Sequence, residues 1–198
     1  MSNIVAIVGR PNVGKSTLFN RLLERREAIV DSTAGVTRDR HYGKSDWNGV
    51  DFTVIDTGGY DVGSDDIFEE EIRKQVQLAV DEATSIIFMV NVEEGLQDID
   101  HEIYNLLRKA NKPLYLVVNK VDSAKEMLAA TEFYQLGVEK YYTLSSATGS
   151  GTGELLDDLV ADFPTTEYKD PFEGLPKITI AGRPNVGKST LTNALLDD

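Results

Sequence analysis

The chain has 198 residues, 41% hydrophobic and 27% charged, which is typical of a folded globular protein and excludes a collagenous, low-complexity or wholly disordered chain. It contains no cysteine, which excludes disulfide scaffolds, cysteine nucleophiles and thiolate metal sites. Its formal net charge of −13 and the absence of a long apolar run lead us to expect neither direct nucleic-acid binding nor a membrane partner.

Apolar strands alternate with amphipathic helices along most of the chain. The pattern predicts strands at residues 4–8, 44–47, 51–56, 85–92, 113–119 and 141–144, helices at 15–24, 69–82, 98–110, 125–135 and 153–162, and a polar loop at 31–42. The pair Asn48-Gly49 predicts a hairpin between the second and third strands. This alternation predicts an α/β three-layer sandwich, in which a mainly parallel sheet is covered by helices on both faces. Ligands of such folds bind at the carboxyl ends of the strands.

One segment of the sequence occurs twice, at a spacing typical of a whole domain. Gly9-Arg10-Pro11-Asn12-Val13-Gly14-Lys15-Ser16-Thr17-Leu18 recurs from Gly182 to Leu191, and each copy follows an apolar strand. A proline-containing stretch without periodicity separates the copies. We therefore predict a first domain at residues 1–163, a linker at 164–176, and at 177–198 the strand, loop and helix start of a second domain of the same kind.

The repeated segment is a phosphate-binding loop. Gly9-x-x-x-x-Gly14-Lys15-Ser16 follows a strand and opens a helix, which is the context that this motif requires. The glycines let backbone N–H groups face an anion, and the helix N-terminus favours negative charge. Lys15 supplies a point charge to the outer phosphates, and the Ser16 hydroxyl is a hard ligand for Mg²⁺. The predicted nucleotide contacts in this loop are Gly9, Arg10, Pro11, Asn12, Val13, Gly14, Lys15, Ser16 and Thr17.

A second motif, Asp56-Thr57-Gly58-Gly59, ends the third predicted strand and is followed by Tyr60. An aspartate at this position can hold Mg²⁺ through water, and the Gly59 N–H can meet the γ-phosphate of a nucleotide. Alone, the motif also fits a plain Asp/Gly turn after a strand. The phosphate-binding loop upstream favours the nucleotide interpretation.

A third motif, Asn119-Lys120-Val121-Asp122, indicates which nucleotide base the chain recognises. The Asp122 carboxylate can accept from both N1–H and N2–H₂ of guanine, donors that adenine does not present in that arrangement, so GTP is favoured over ATP. Asn119 can hydrogen-bond base and loop, and the Lys120 stem can cover the ring. After the short strand at 141–144, the small residues Ser145-Ser146-Ala147 let backbone N–H groups approach the base oxygen, although a serine-rich loop before a helix fits equally well.

Together these motifs resemble those of the translation-factor-like P-loop GTPases, and the repeated segment is similar to the bacterial Der (EngA) family. That family has two GTPase domains and a C-terminal KH-like domain, and acts in large ribosomal subunit assembly. The resemblance implies a cytoplasmic, Mg²⁺-dependent GTPase with slow intrinsic turnover, whose ligands are GTP and GDP and whose partner is the large ribosomal subunit. It also implies that Thr37 binds Mg²⁺ in the GTP state. The second P-loop would be competent only in a complete second domain; its residues are Gly182, Arg183, Pro184, Asn185, Val186, Gly187, Lys188 and Ser189.

This chain lacks the glutamine that orients the attacking water in better-known small GTPases. Those proteins have a glutamine where this chain has Tyr60, which carries no amide. In related GTPases an asparagine at the position of Asn12 resembles a K⁺ ligand, and we expect potassium-stimulated hydrolysis that uses Lys15, Thr37, Gly59 and Asn12. Asn12 alternatively only shapes the turn after Pro11. Arginines of the loop, Arg38 and Arg40, are weaker candidates for the catalytic charge.

Two other functions stay open from the sequence. One is a nucleotide-gated binding module whose slow hydrolysis only resets partner binding, an interpretation that Tyr60 favours. The other is a P-loop ATPase or small-molecule kinase, against which Asp122 argues.

Overall fold

The computed structural model describes residues 3–23, 41–57, 74 and 76–164. The chain divides into two compact units, Met1–Pro164 and Thr165–Asp198, and every described residue belongs to the first. The predicted second copy lies outside the described residues, so the domain boundaries stay a prediction. Within the described residues, no helix is both long and apolar enough to cross a bilayer.

The described strands form one sheet. They are β1 (Ile4–Val8), β2 (His41–Trp47), β3 (Val50–Asp56), β4 (Ser85–Asn91), β5 (Leu114–Asn119) and β6 (Tyr142–Thr143). Their order across the sheet is β2-β3-β1-β4-β5-β6. The hairpin pair β2–β3 is antiparallel, and every other neighbouring pair is parallel. The predicted mainly parallel sheet is confirmed.

Helices cover both faces of this sheet. They are α1 (Lys15–Leu23), α2 (described at residues 76–82), α3 (Asp98–Arg108), α4 (Ala124–Ala129) with a following 3₁₀ helix (Ala130–Leu136), and α5 (Thr152–Ala161). Ala6 and Val8 of β1 belong to a core shared with α2, α3 and the 3₁₀ helix, whereas Val5 and Ile7 belong to a core shared with α1 and α5. Because alternate side chains of a strand point to opposite faces, a strand buried on both faces is an unbroken apolar run, as the sequence shows.

The predicted hairpin is confirmed, but its first strand begins earlier than expected. Asn48 and Gly49 both have positive φ, at 50° and 80°, as a two-residue hairpin turn requires. Strand β2 starts at His41 rather than at Lys44, because it pairs with β3 as far as the His41–Asp56 register. His41 and Tyr42, predicted to end a polar loop, are therefore strand residues; the rest of that loop lies outside the described residues.

The helix predicted at 125–135 is only partly an α-helix. It becomes a 3₁₀ helix at Ala130 and ends at Leu136; the next residue, Gly137, has a left-handed φ of 76°. The buried residues of this segment, Ala130, Phe133 and Leu136, are three residues apart. A 3₁₀ helix has three residues per turn, so it brings all three to the face that packs on the sheet. The strand predicted at 141–144 is also shorter, covering only Tyr142–Thr143.

Candidate functional site

The predicted motifs meet at one edge of the sheet. The phosphate-binding loop follows β1, Asp56 is the last residue of β3, Asn119 is the last residue of β5, and Ser145 lies just beyond β6. These four strands run parallel to one another, so their carboxyl ends lie at the same edge. This is the edge at which open α/β sheets bind ligands.

The phosphate-binding loop packs its backbone directly against the ends of β4 and β5. A Cβ at Gly9 would overlap the Met89 carbonyl oxygen, and a Cβ at Gly14 would overlap the Asn119 side-chain amide. Gly14 also has a φ of 101°, which favours glycine. Both glycines are therefore required by close approach, and no larger residue fits without moving the loop.

Lys15 is held inside this loop. Its side chain is buried, at 7% exposure, and its Nζ donates to the carbonyl oxygens of Gly9 and Arg10, each at 2.8 Å. Burial lowers the pKa of Lys15 to about 8, an effect that the negative charge of Asp56 opposes. An anion beside this ammonium would stabilise the charge that burial has deprived of water, so Lys15 is suited to binding phosphate.

The oxygen donors predicted for Mg²⁺ are compatible with that ion. Asp56 is 1% exposed and stands opposite Ile7 of β1, whose carbonyl accepts a hydrogen bond of 2.9 Å from the Thr57 hydroxyl. Ser16 is exposed in the first turn of α1. A carboxylate and a hydroxyl are hard donors of the kind that Mg²⁺ prefers. Four further predicted residues lie outside the described residues: Thr37, Gly58, Gly59 and Tyr60.

Asn119 connects three loops of the site. Its Nδ2 donates to the Val13 carbonyl in the phosphate-binding loop, at 2.7 Å. Its Oδ1 accepts from both the N–H and the hydroxyl of Ser146, each at 2.9 Å. The side chain is 2% exposed, so these bonds are protected from water. The predicted phosphate and base subsites are thus parts of one connected structure.

The rest of the third motif faces outward. Val121 is buried and its N–H donates to Leu144 at 3.1 Å, whereas Asp122 is exposed and its Oδ1 accepts from the Thr148 hydroxyl at 3.4 Å. Lys120 has a φ of 65°, and its Nζ donates to Glu93 at 2.8 Å. This arrangement leaves the Asp122 carboxylate beside the 145–150 loop, where a base contact is expected.

The 145–147 segment is built as a tight loop. Ser145 and Ser146 are both buried, and the Gly149 N–H donates to the Ser145 carbonyl at 2.7 Å. Arg21 of α1, which sequence reasoning missed, donates to the carbonyl oxygens of Ser146 and Ala147. Nothing in the sequence around Arg21 signals this contact, because it lies 125 residues from Ser146 in the chain.

Arg10 contributes its backbone rather than its side chain to the predicted phosphate subsite. Arg10 is 7% exposed, and its guanidinium donates to Asp100 at 3.2 Å and also pairs with Glu94. Burial raises the pKa of the Asp100 carboxyl, an effect that the neighbouring Arg10 charge opposes. Sequence reasoning missed both acidic partners. They anchor the phosphate-binding loop to the segment that opens α3.

Comparison with known proteins identifies close relatives. The sequence matches the model of a family described as 50S ribosome-binding GTPase over residues 4–120 and 177–198. It is 62% identical over its whole length to the GTPase Der of Christiangramia forsetii, and 63% identical over 98% of its length to that of Flavobacterium johnsoniae. The chain spans 45% of the length of each of these curated relatives. The predicted resemblance to the Der family is confirmed.

Solved structures share this fold. Aquifex aeolicus Era bound to GDP·AlF₄⁻ has a TM-score of 0.67 and 31% identity, over 90% of this chain and 62% of that chain. The G domain of the T. maritima FeoB iron transporter has a TM-score of 0.59 and 26% identity, over 81% of this chain and 98% of that chain. The predicted P-loop GTPase fold is confirmed.

Proposed function

This chain belongs to the family of 50S ribosome-binding GTPases, and from that premise we propose that it binds GTP with Mg²⁺ and hydrolyses it to GDP and phosphate. The observation that carries the proposal is the Asn119 side chain, which joins the phosphate-binding loop to the loop expected beside the base. A nucleotide spanning those loops would contact both ends of one rigid unit. Such an arrangement favours recognition of the whole nucleotide over recognition of phosphate alone.

Lys15 is the residue assigned to the outer phosphates. An ammonium has three donors, and the Gly9 and Arg10 carbonyls accept two of them, so a third remains for a phosphate oxygen. The same two bonds hold the charge within the loop, where little reorganisation is needed when a phosphate arrives. Phosphoryl transfer relies mostly on positioning and electrostatic stabilisation, which agrees with slow intrinsic turnover.

Ser16, Asp56 and, from the family resemblance, Thr37 would hold Mg²⁺. The bound ion would neutralise charge on the phosphates. Asp56 is fixed for this task at the buried end of β3, beside β1. The donor types support Mg²⁺, and we expect chelation by EDTA to abolish turnover.

Asn12 is proposed to bind a K⁺ ion. That ion would supply positive charge at a site that has no water-orienting glutamine. Asn12 has an exposed side chain and a φ of 63°. The left-handed φ equally supports the alternative that Asn12 only shapes the turn, because asparagine tolerates this conformation. Glycine tolerates it too, so Asn12→Gly removes the side chain while preserving the turn.

GTP turnover in KCl and in NaCl at equal ionic strength tests these proposals. We expect several-fold faster turnover in KCl, and loss of that difference in Asn12→Gly. Asn48→Gly is the matched control, since Asn48 is an exposed asparagine with a φ of 50° in the β2–β3 turn. Stimulation retained by Asn12→Gly would assign Asn12 to the turn. Equal rates in both salts, well above background, would move the catalytic role toward Arg38, Arg40 or Tyr60.

A nucleotide-gated binding module is the second candidate function, favoured by Tyr60 at the position of the glutamine. In that case hydrolysis only resets partner binding, and turnover stays near background without a partner. Measuring turnover with and without large ribosomal subunits separates the two. The proposed partner of the whole protein is the large ribosomal subunit, as the family description suggests, and the proposed location is the cytoplasm. For this chain alone, with a net charge of −13, we expect no tight cosedimentation with that subunit.

The second P-loop, residues 182–189, is not expected to bind nucleotide in this chain. By the family resemblance, a loop of this kind would be competent only within a complete second domain, together with a motif that recognises the base. The expected stoichiometry is therefore one nucleotide per chain, and a value near two contradicts this proposal.

A further inference from the structure

Arg21 hydrogen-bonds to the loop that follows β6. It lies in the last turn of α1, and its guanidinium donates from Nε to the Ser146 carbonyl and from Nη2 to the Ala147 carbonyl. The same group lies against Gly149, where an added Cβ would come 3.0 Å from Nη1. The planar guanidinium of Arg21 thus binds two successive carbonyls of the loop, on the side that faces α1.

This contact fixes the direction of a backbone N–H group. In a trans peptide the carbonyl oxygen and the N–H of the next residue point in opposite directions. Holding the Ser146 carbonyl toward Arg21 therefore directs the Ala147 N–H away from Arg21. The preceding peptide is fixed independently, because the N–H of Ser146 donates to Asn119 at 2.9 Å.

We propose that Arg21 is a positioning residue for base recognition, acting through the Ala147 N–H on the oxygen at C6 of guanine. This inference rests on the proposed function. A guanidinium on the carbonyl side polarises the peptide and strengthens its N–H as a donor. The fork geometry matters as well, since an ammonium is a point charge and cannot hold two carbonyls in fixed planes.

Comparing GDP with 6-thio-GDP tests the inference, because the analogue keeps N1–H and N2–H₂ but replaces the oxygen with sulfur, a weaker acceptor. The measured quantity is the ratio of the two dissociation constants for the 198-residue chain. We expect the unaltered chain to prefer GDP and Arg21→Met to reduce that preference about fivefold, the value of one ordinary hydrogen bond. Arg21→Lys should recover only part of the preference.

Arg108→Met is the matched control, because Arg108 is an exposed arginine in the last turn of α3 and should leave the ratio unchanged. The ratio separates positioning from general stability, since a loosened fold weakens both ligands equally. Equal weakening of both, no change in Arg21→Met, or no preference in the unaltered chain would overturn the inference. Binding of GDP no tighter than ADP by the unaltered chain would instead show that the proposed function itself has failed.

Discussion

Replacing Asn119 with alanine removes three buried hydrogen bonds at once. The bonds join Asn119 to the Val13 carbonyl and to the N–H and hydroxyl of Ser146, at 2.7, 2.9 and 2.9 Å. Each contributes about 1 kcal/mol net, and a buried partner left without a bond costs about 1–3 kcal/mol. The expected loss in the free energy of unfolding is therefore about 3–5 kcal/mol. Total stability is typically about 5–15 kcal/mol, so the variant should still fold at room temperature.

Equilibrium urea unfolding of the nucleotide-free chain, followed by circular dichroism, measures this loss. In thermal unfolding of a chain of this size, a loss of about 3 kcal/mol in the free energy of unfolding lowers the Tm by roughly 10 °C. Asn105→Ala is the control, because Asn105 is exposed on α3 and should change stability by less than about 0.5 kcal/mol. Ser146→Ala, which removes one of the three donors, should cost about 1 kcal/mol. An Asn119→Ala variant within about 1 kcal/mol of the unaltered chain would refute the idea that Asn119 ties the loops together.

Three further perturbations test the fold around the site. Phe133→Ala removes a fully buried side chain of the 3₁₀ segment and should cost about 3–5 kcal/mol in urea unfolding; a cost below about 1 kcal/mol would mean that Phe133 is not part of the core. Lys112→Met removes the ammonium that donates to the carbonyls of Val80 and Ala83 at the end of α2, so hydrogen exchange there should accelerate several-fold, and unchanged protection would contradict the contact. Burial, with a hydrogen bond to Asp158, raises the pKa of Tyr142 to about 12, so the folded chain keeps a proton that the unfolded chain loses above about pH 10. Stability should therefore fall between about pH 10 and 12, by at most about 1.4 kcal/mol per pH unit from this group, and less steeply in Tyr142→Phe; parallel pH profiles would refute this.

The arrangement of strands and helices was predictable because the apolar spacing is regular. The two faces of β1 draw on alternate residues, Ala6 with Val8 and Val5 with Ile7, and this produces the unbroken apolar run visible in the sequence. The 3₁₀ segment was not predictable in the same way. Over a single short segment, a spacing of three residues also fits an α-helix, and only packing on the sheet decides between them.

Long-range partners explain what sequence reasoning missed at the site. Arg10 and Asp100 are 90 residues apart, and Arg21 and Ser146 are 125 residues apart, so neither contact leaves a local pattern. The strand character of His41 likewise comes from its partner Asp56 rather than from its own sequence. By contrast, the phosphate-binding loop and the Asn119 motif are short segments whose chemistry depends on adjacent residues, so both can be recognised in the sequence itself.

Calorimetric titration of the chain with GDP and ADP tests the central claim most directly. The account predicts one tight GDP site per chain and binding of ADP weaker by about 10⁴-fold, because adenine does not present the N1–H and N2–H₂ donors that Asp122 accepts from guanine. It also predicts that Asp122→Asn loses GDP and gains xanthosine diphosphate, since an amide N–H₂ can donate to the carbonyl at C2 of xanthine. Comparable affinities for GDP and ADP, or an Asp122→Asn variant that still prefers GDP, would contradict the account.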